Sequence, residues 1–580
     1  MRAAVLVKPG FRRVWVGPVL APGSGPCIGC LQERLRLNLA APALLHGDAT
    51  AGAGKVLHRR IDREFPPLAW FRIALTLMNR FDVERDLGDG HYIEAVELES
   101  CRSERHPVKR LPQCARCGDP AMDVNGARVE LRARPIRSRL GGGLRTLTPA
   151  RTLERLADLV SPLTGVVRHV REVPVEGTDL VHVYTASHAR HYGVPGLRAV
   201  RNARRDPSGG KGIADLDARV SALCESLERF SAVHRGSERC QLARRSDVGA
   251  PAIAPNDLLL FSPRQFATRD EWNARDAGGM HWVPEPYDDQ RIEWSEVRSL
   301  ATGATLLVPS ACIFLGFRGE GRRFCKGDSN GLASGNCLEE AVLQGFLELV
   351  ERDAVAIWWY NRIRRPAIDP RSFEHPWIDR LIGYYARIQR KLWILDLTTD
   401  LAIPCFAAVS ALEGGAREDI IFGFGAHLDA RTALIRALTE LNQMLPTVQR
   451  TMDERRRQLL PDFIEAIDWW ETARLADHPY LSPSAHRPLA CDDFARPVIT
   501  DLRDAILDCT ARANAAGSDV LVHDLTRPDV RFPVVRVIAP GLRHFWRRLG
   551  PGRLFDVPVR MGWLEHPRSE AEMNPVSMFV

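Results

Sequence analysis

The sequence predicts a mixed protein, α/β or α+β, and three observations carry that reading. Its 580 residues are 45% hydrophobic and 26% charged, enough for more than one packed core. Short β-branched stretches recur along the whole chain, and from about residue 205 they alternate with long amphipathic segments. No solenoid period and no heptad run interrupts that alternation.

The elements follow in order. Ala4–Val7 and Arg13–Val16 read as strands, and a helix starts near Cys30. Residues 67–81 (PLAWFRIALTLMNRF) read as a second helix. Residues 92–100 and 127–136 look extended, with a Pro- and Cys-containing loop at 106–120 between them. Thr148-Pro149 is a cap followed by a proline at the first helical position, so a helix should begin there. VVRHVREV (166–173) and LVHVYTA (180–186) alternate as strands do. Two long helices carrying glutamates follow, at about 215–230 and 337–354.

Two CxxC pairs stand apart, Cys27/Cys30 and Cys114/Cys117, with 83 residues between them. Four thiolates on two tight turns suit one tetrahedral Zn²⁺, and a closed four-sulfur site is structural because no coordination position stays open. The cysteines number 13 in all, an odd total that is no disulfide framework and fits a reducing cytoplasm.

On the first glutamate helix Ser221, Glu225 and Glu228 are spaced i, i+4, i+7 and share a face. On the second, Asn336, Glu340, Glu348 and Glu351 fall within an arc of about 120°, among apolar neighbours that imply burial. Buried carboxylates demand a partner, whether a metal, an arginine or a proton, and a cluster of glutamates from two helices suits Mg²⁺ shared with a nucleotide's phosphates. Asn336 also suits a helix N-cap whose box Glu339 would close. Ser208-Gly-Gly-Lys211-Gly212 fails the P-loop pattern, and reads either as a glycine-rich loop near phosphate or as a plain tight turn.

The formal charge is +7, and arginine is spread along the chain rather than gathered with aromatics, so no nucleic-acid partner is expected. No window is long and apolar enough for a membrane span, and no signal peptide precedes the first strand.

SALCESLERFSAV, followed by SNGLASGNCLEEAVLQGFLELVERDAVAIWW, resembles the YcaO superfamily of ATP-dependent peptide-backbone-modifying enzymes over residues 135–580. GGKG, GFGAHLDARTALIRALTELNQ and VIAPGLRHFWRRLGPGRLFDVPVRMGW agree with it. Within that superfamily the chain is most similar to azoline-forming cyclodehydratases, the D component of thiazole/oxazole-modified microcin pathways. The resemblance implies ATP and Mg²⁺ as cofactors, with Glu225, Glu228, Glu340, Glu348 and Glu351 at the metal and the reacting phosphate. It implies Ser221, Asn336, Arg352 and Lys211 at the nucleotide, and a ribosomal precursor peptide as substrate. Thioamide or amidine formation on the same fold, or a non-catalytic nucleotide-binding scaffold, are the other readings.

GPCIGCLQERLRLN and CARC resemble the zinc knuckle of a ThiF-like partner protein, so residues 1–134 read as a truncated ThiF-like zinc-binding docking unit. Residues 135–580 read as the catalytic unit. The short stretch before Cys27 predicts that a separate ThiF-like protein binds the leader peptide. A flavin-dependent azoline dehydrogenase and a homodimeric state are further expectations of the resemblance. Met573–Val580 keeps one proline where the resemblance calls for a proline-rich end.

Overall fold

The computed structural model describes residues 4–8, 13–20, 25–38, 91–97, 99–100, 102–119, 126–139, 142–175, 177–188, 208–275, 281–415, 417–450 and 464–579. The helix expected at 67–81 lies outside them. Within them the chain builds four sheets, and every strand pairing in them is antiparallel. The mixed α/β class therefore takes the α+β form.

The first sheet is β1 (Ala4–Lys8), β2 (Arg13–Leu20), β3 (Tyr92–Glu97) and β4 (Ser103–Pro107), in that order. Helix α1 (Ile28–Asn38) packs on it through Leu31, with Ile93 and Val108 completing a small core. A core of that size is marginal by itself. It is attached to the rest of the molecule by Leu37, which joins a core with Leu156, Leu159 and Phe230, and by polar contacts: Arg34 on α1 meets Asp529 at 2.8 Å with both side chains buried, and Asn38 Nδ2 donates to the Gly165 carbonyl. Asp529 keeps a second cation, Arg527, at 3.0 Å. Arg34→Ala should therefore remove one charged hydrogen bond and cost about 1.5–3 kcal/mol, read as an earlier denaturant midpoint for this unit.

Helix α2 (Pro149–Leu156) starts where the sequence places it, with the Thr148 side chain accepting from the Arg151 amide. β5 (Val167–Glu172), β6 (His182–His188) and β7 (Ser208–Gly212) form a three-stranded sheet that α3 (Asp215–Ala232) packs against. The Ser208–Gly212 segment is thus a strand, neither a loop nor a turn, because Tyr184 and its neighbours on β6 supply a ladder partner at each residue. Its glycines allow α3 to approach. A Cβ on Gly210 would lie 2.1 Å from the Ala218 carbonyl oxygen. Asp215 and Asp217 in the first turn of α3 favour its N-terminal dipole.

β8 (Gln241–Ala243), β9 (Ile292–Ser299), β10 (Thr305–Pro309), β11 (Leu332–Ser334), β15 (Leu521–Asp524) and β16 (Val534–Ile538) make the six-stranded sheet, ordered β10-β9-β15-β16-β11 with β8 also on β9. Helix α4 (Leu338–Asn361) runs through the largest core and buries Phe346, Val350, Trp358 and Trp359. Across it lie β12 (Arg390–Asp396), β13 (Cys405–Leu412) and β14 (Ile421–Ala426), covered by α5 (Ala430–Arg450). The order three strands then one helix therefore occurs twice, as β5-β6-β7-α3 and β12-β13-β14-α5. Gly423 on β14 repeats the role of Gly210, since a Cβ there would lie 2.0 Å from the Leu441 amide.

Residues 127–136 form no ladder. Gly126 bridges Asp524, Pro135 bridges Asp501, and the Arg132 amide donates to Glu339. The carboxyl end threads into the core beside α4: the Asn574 amide donates to the Tyr360 carbonyl, the Val576 carbonyl accepts from Trp359 Nε1, and Met578 is fully buried.

Candidate active site

The faces of α3, α4 and α5 left free by this packing enclose a cavity of about 350 Å³. Helix α3 contributes Asp217, Ser221, Glu225, Glu228 and Arg229, whose spacing is the helical repeat opposite the face buried against β5-β6-β7. Helix α4 contributes Glu340, Glu348, Glu351 and Arg352, with Asn336 just before it and Lys211 from β7. All nine residues singled out in the two glutamate segments and at Lys211 line this one cavity.

The cavity also takes Arg436 and Glu440 from α5, which sequence reasoning did not single out. The i, i+4 spacing of an arginine and a glutamate was their only signal, and on its own it describes any solvated helix face. The fold shows more: Lys211 Nζ lies 2.6 Å from Glu440, so the strand of one three-strand unit meets the helix of the other.

Seven carboxylates and five cationic side chains line the cavity. Arg229 is 2.9 Å from Glu225, and Arg352 reaches 3.5 Å to Glu351 and 3.8 Å to Glu348. The Arg352 guanidinium lies over the Phe545 ring, and its buried Nε and Nη1 make no hydrogen bond among the described residues. Burial raises Glu228 well above the usual carboxylate range, and the charges of Glu348 and Glu225 raise it further. Burial likewise pushes Glu348 up to about 7 against the pull of Arg352. Glu351 is raised by burial and then by Glu440. These carboxylates cannot all ionise in the protein alone, which is the condition a divalent cation relieves.

Glu340 differs from the others. One of its oxygens accepts from the Asn336 amide at 2.9 Å and from Asn336 Nδ2 at 3.2 Å, and the other accepts from the Thr146 amide and hydroxyl. Four donors leave it little lone-pair capacity for a metal. The N-cap box expected for Asn336 does not form. The helix begins at Leu338 with Cys337 in the cap position, Asn336 turns to Glu340, and Glu339 turns to the Arg132 amide and to Arg134. The cost of an empty cap is offset because a buried carboxylate recruits the neighbouring donors first.

The family model described as YcaO cyclodehydratase, binding ATP and Mg²⁺, matches residues 209–543, which hold all the cavity glutamates. The chain belongs to the YcaO cyclodehydratase family. As such it is an ATP- and Mg²⁺-dependent cyclodehydratase. Among solved structures, this YcaO chain resembles a heterocyclase in complex with substrate and cofactor, at 38% identity and TM-score 0.86, over 100% of this chain and 78% of that one. It also resembles the heterocyclase TruD, at 34% identity and TM-score 0.74, over 100% and 75%. An uncharacterised protein of Methanothermobacter thermautotrophicus is 29% identical over 406 residues, 68% of this chain and 94% of that protein.

The residues present fit what a YcaO cyclodehydratase binds. Half-buried carboxylates suit Mg²⁺, and the unsatisfied Arg352 donors suit phosphate oxygens. No step here requires a covalent residue, since phosphoryl transfer depends on placement and charge neutralisation. Among the described residues, however, the glutamates do not converge closely enough to cage an ion by themselves; only Cys27, Cys30, Cys114 and Cys117 do, with ligand atoms within 4.8 Å of one another. Cys27 Sγ is 3.5 Å from Cys114 Sγ, and Cys30 Sγ is 3.4 Å from Cys117 Sγ. The Leu111 amide donates to Cys30 Sγ, and burial pushes that thiol up to about 12 when no metal is present. This four-cysteine cluster could bind a metal. The sheet and helix around it are all that the described residues show of the first unit, and they do not by themselves make a ThiF-like fold. No described helix is long and apolar enough to cross a membrane.

Proposed function

We propose that this YcaO enzyme closes Cys, Ser or Thr residues of a ribosomal precursor peptide into thiazoline or oxazoline rings. The thiol or hydroxyl attacks the preceding amide carbon, and its proton is lost. The amide oxygen, now anionic, takes the γ-phosphoryl group of ATP and releases ADP. The C–O bond then breaks, inorganic phosphate leaves with the former amide oxygen, the nitrogen loses its proton, and the C=N bond of the ring remains. The peptide loses one water per ring, and ATP is converted to ADP and phosphate.

The observation that carries the proposal is the excess of half-buried carboxylates facing unsatisfied arginine donors in one cavity. Glu225, Glu228, Glu348, Glu351 and Glu440 would hold Mg²⁺, which neutralises the phosphate charge that builds up during transfer. Arg352 and Lys211 bind phosphate oxygens. Leu147, Pro149, Ile213 and Val220 offer the base an apolar wall. Glu340 pins Asn336 and the Thr146 segment, so that the mouth of the cavity keeps its shape. Incubation with ATP, Mg²⁺ and a Cys-containing precursor should remove one water mass per ring; an unchanged peptide mass with ATP consumed would refute the reaction.

The four-cysteine cluster is assigned to Zn²⁺. Sulfur separations of 3.4–4.0 Å between Cys27 and Cys30, Cys27 and Cys114, and Cys30 and Cys117 bracket the ~3.8 Å expected for a tetrahedral Zn–S₄ centre. We place a zinc-tied docking unit in residues 1–134 and the cyclodehydratase unit in 135–580, with the 126–134 stretch packed on the second through Asp524, Glu339 and the large core.

A further inference from the structure

A second cavity, of about 460 Å³, lies at the carboxyl end of α3 and takes no part in the chemistry above. Its origin is a gap in the six-stranded sheet. On one edge of β9, β8 pairs as far as Trp294 and β15 only from Arg298 onward, which leaves Ser295–Val297 between the two ladders. At Asp524 the β15 strand turns to pair with Gly126 instead. The cavity occupies that gap, with Trp294, Glu296 and His523 in its wall and Arg239, Cys240 and Gln241 at its exposed rim.

The groups facing it suit a peptide backbone. His523 Nδ1 lies 2.7 Å from the Glu296 carbonyl, which can only accept, so Nδ1 carries the proton. Burial pushes this ring down to about 4, so it is neutral and its Nε2 is an acceptor. Ser231, 5% exposed, has a hydroxyl with no hydrogen-bond partner among the described residues. Arg128, Arg239 and Arg527 are balanced by Glu238, Glu296 and Asp524, so the lining offers no net field for a polyanion. One wall abuts the cysteine loop, since Arg527 donates to Gln113.

The two cavities are neighbours. Ser231 follows Glu228 by three residues on α3, a rise of about 4.5 Å. The 525–532 loop supplies Leu525 to one and Phe532 to the other. An extended chain covers ~3.3–3.6 Å per residue, so about one to two residues span the step between those two side chains and one peptide can reach both cavities.

We propose that the second cavity binds an extended stretch of the peptide substrate, a few residues from the one being cyclised. It thereby acts as a register-setting subsite. This rests on the peptide reading above.

The test uses the full chain and a fluorescein-labelled peptide with a single Cys, with binding followed by anisotropy and ring formation scored separately by mass. Arg239→Glu and, independently, Cys240→Trp should each weaken peptide binding at least about tenfold, while ATP affinity stays unchanged and reports an intact fold. A photocrosslinker in place of Gln241 should label the peptide a few residues from its Cys. Equal peptide binding by wild type and both variants, no binding by the wild type, or a crosslink confined to the Cys itself would overturn the subsite. Failure to form rings despite binding at this site counts against the reaction, not against the cavity.

Discussion

Glu348→Gln should reduce ring formation by at least about 100- to 1,000-fold while leaving the protein folded, the loss expected for one preorganised electrostatic group. The size follows from what the side chain does in each state. In the metal-free protein the Glu348 carboxyl is a liability: although Arg352 lies 3.8 Å away and favours the carboxylate, burial pushes it up to about 7 from the ordinary 4.5. An amide of the same shape removes that burden, so the variant should melt no earlier than the wild type without Mg²⁺. It should, however, lose most of the added stability that ATP and Mg²⁺ confer on the wild type. The pH dependence has a definite sign. The folded protein holds this proton more tightly than the unfolded chain does. Stability of the metal-free protein should therefore fall as pH rises from about 4.5 to about 7, then level off. Saturating Mg²⁺ with nucleotide should remove that fall, and Glu348→Gln should lack it. Thermal melts at a series of pH values, with and without Mg²⁺·ATP, read all three effects. An equal loss of activity and of metal-free stability would make Glu348 structural.

Cys27→Ala or Cys114→Ala should have the larger effect on stability. Binding of a structural Zn²⁺ by four thiolates is worth on the order of 10 kcal/mol. The unit it ties has a core of little more than Leu31, Ile93 and Val108. Each variant should lose one zinc per chain by metal analysis and expose residues 25–119 to proteolysis. The sheets around α4, with their separate large core, should stay resistant. Retained zinc in both variants would refute the assignment.

The parts legible in the sequence are those set by local periodicity. The alternation in VVRHVREV and LVHVYTA gave β5 and β6, Thr148-Pro149 gave the start of α2, and the i, i+4, i+7 spacing put Ser221, Glu225 and Glu228 on one face. Two CxxC turns in one chain were enough to bring four sulfurs together. What stayed hidden depends on partners far away in sequence. Glu440 matters because Lys211 lies across from it, and no local pattern encodes that meeting. The strand at Ser208–Gly212 looked like a loop because glycine has low strand propensity; its glycines are explained by the close approach of α3, a tertiary fact. Asn336 looked like a cap because capping rules are local, whereas the buried Glu340 carboxylate competes for the same donors. The gap between β8 and β15 follows from sheet order alone, and sheet order is the least local property of the fold.

Transfer of a phosphoryl group to a peptide amide oxygen in this cavity is tested most directly by a substrate peptide carrying a heavy-oxygen label in the amide carbonyl before the reacting Cys. One labelled oxygen should appear in inorganic phosphate for every ring formed. Rings that form with the label released into water would rule the transfer out.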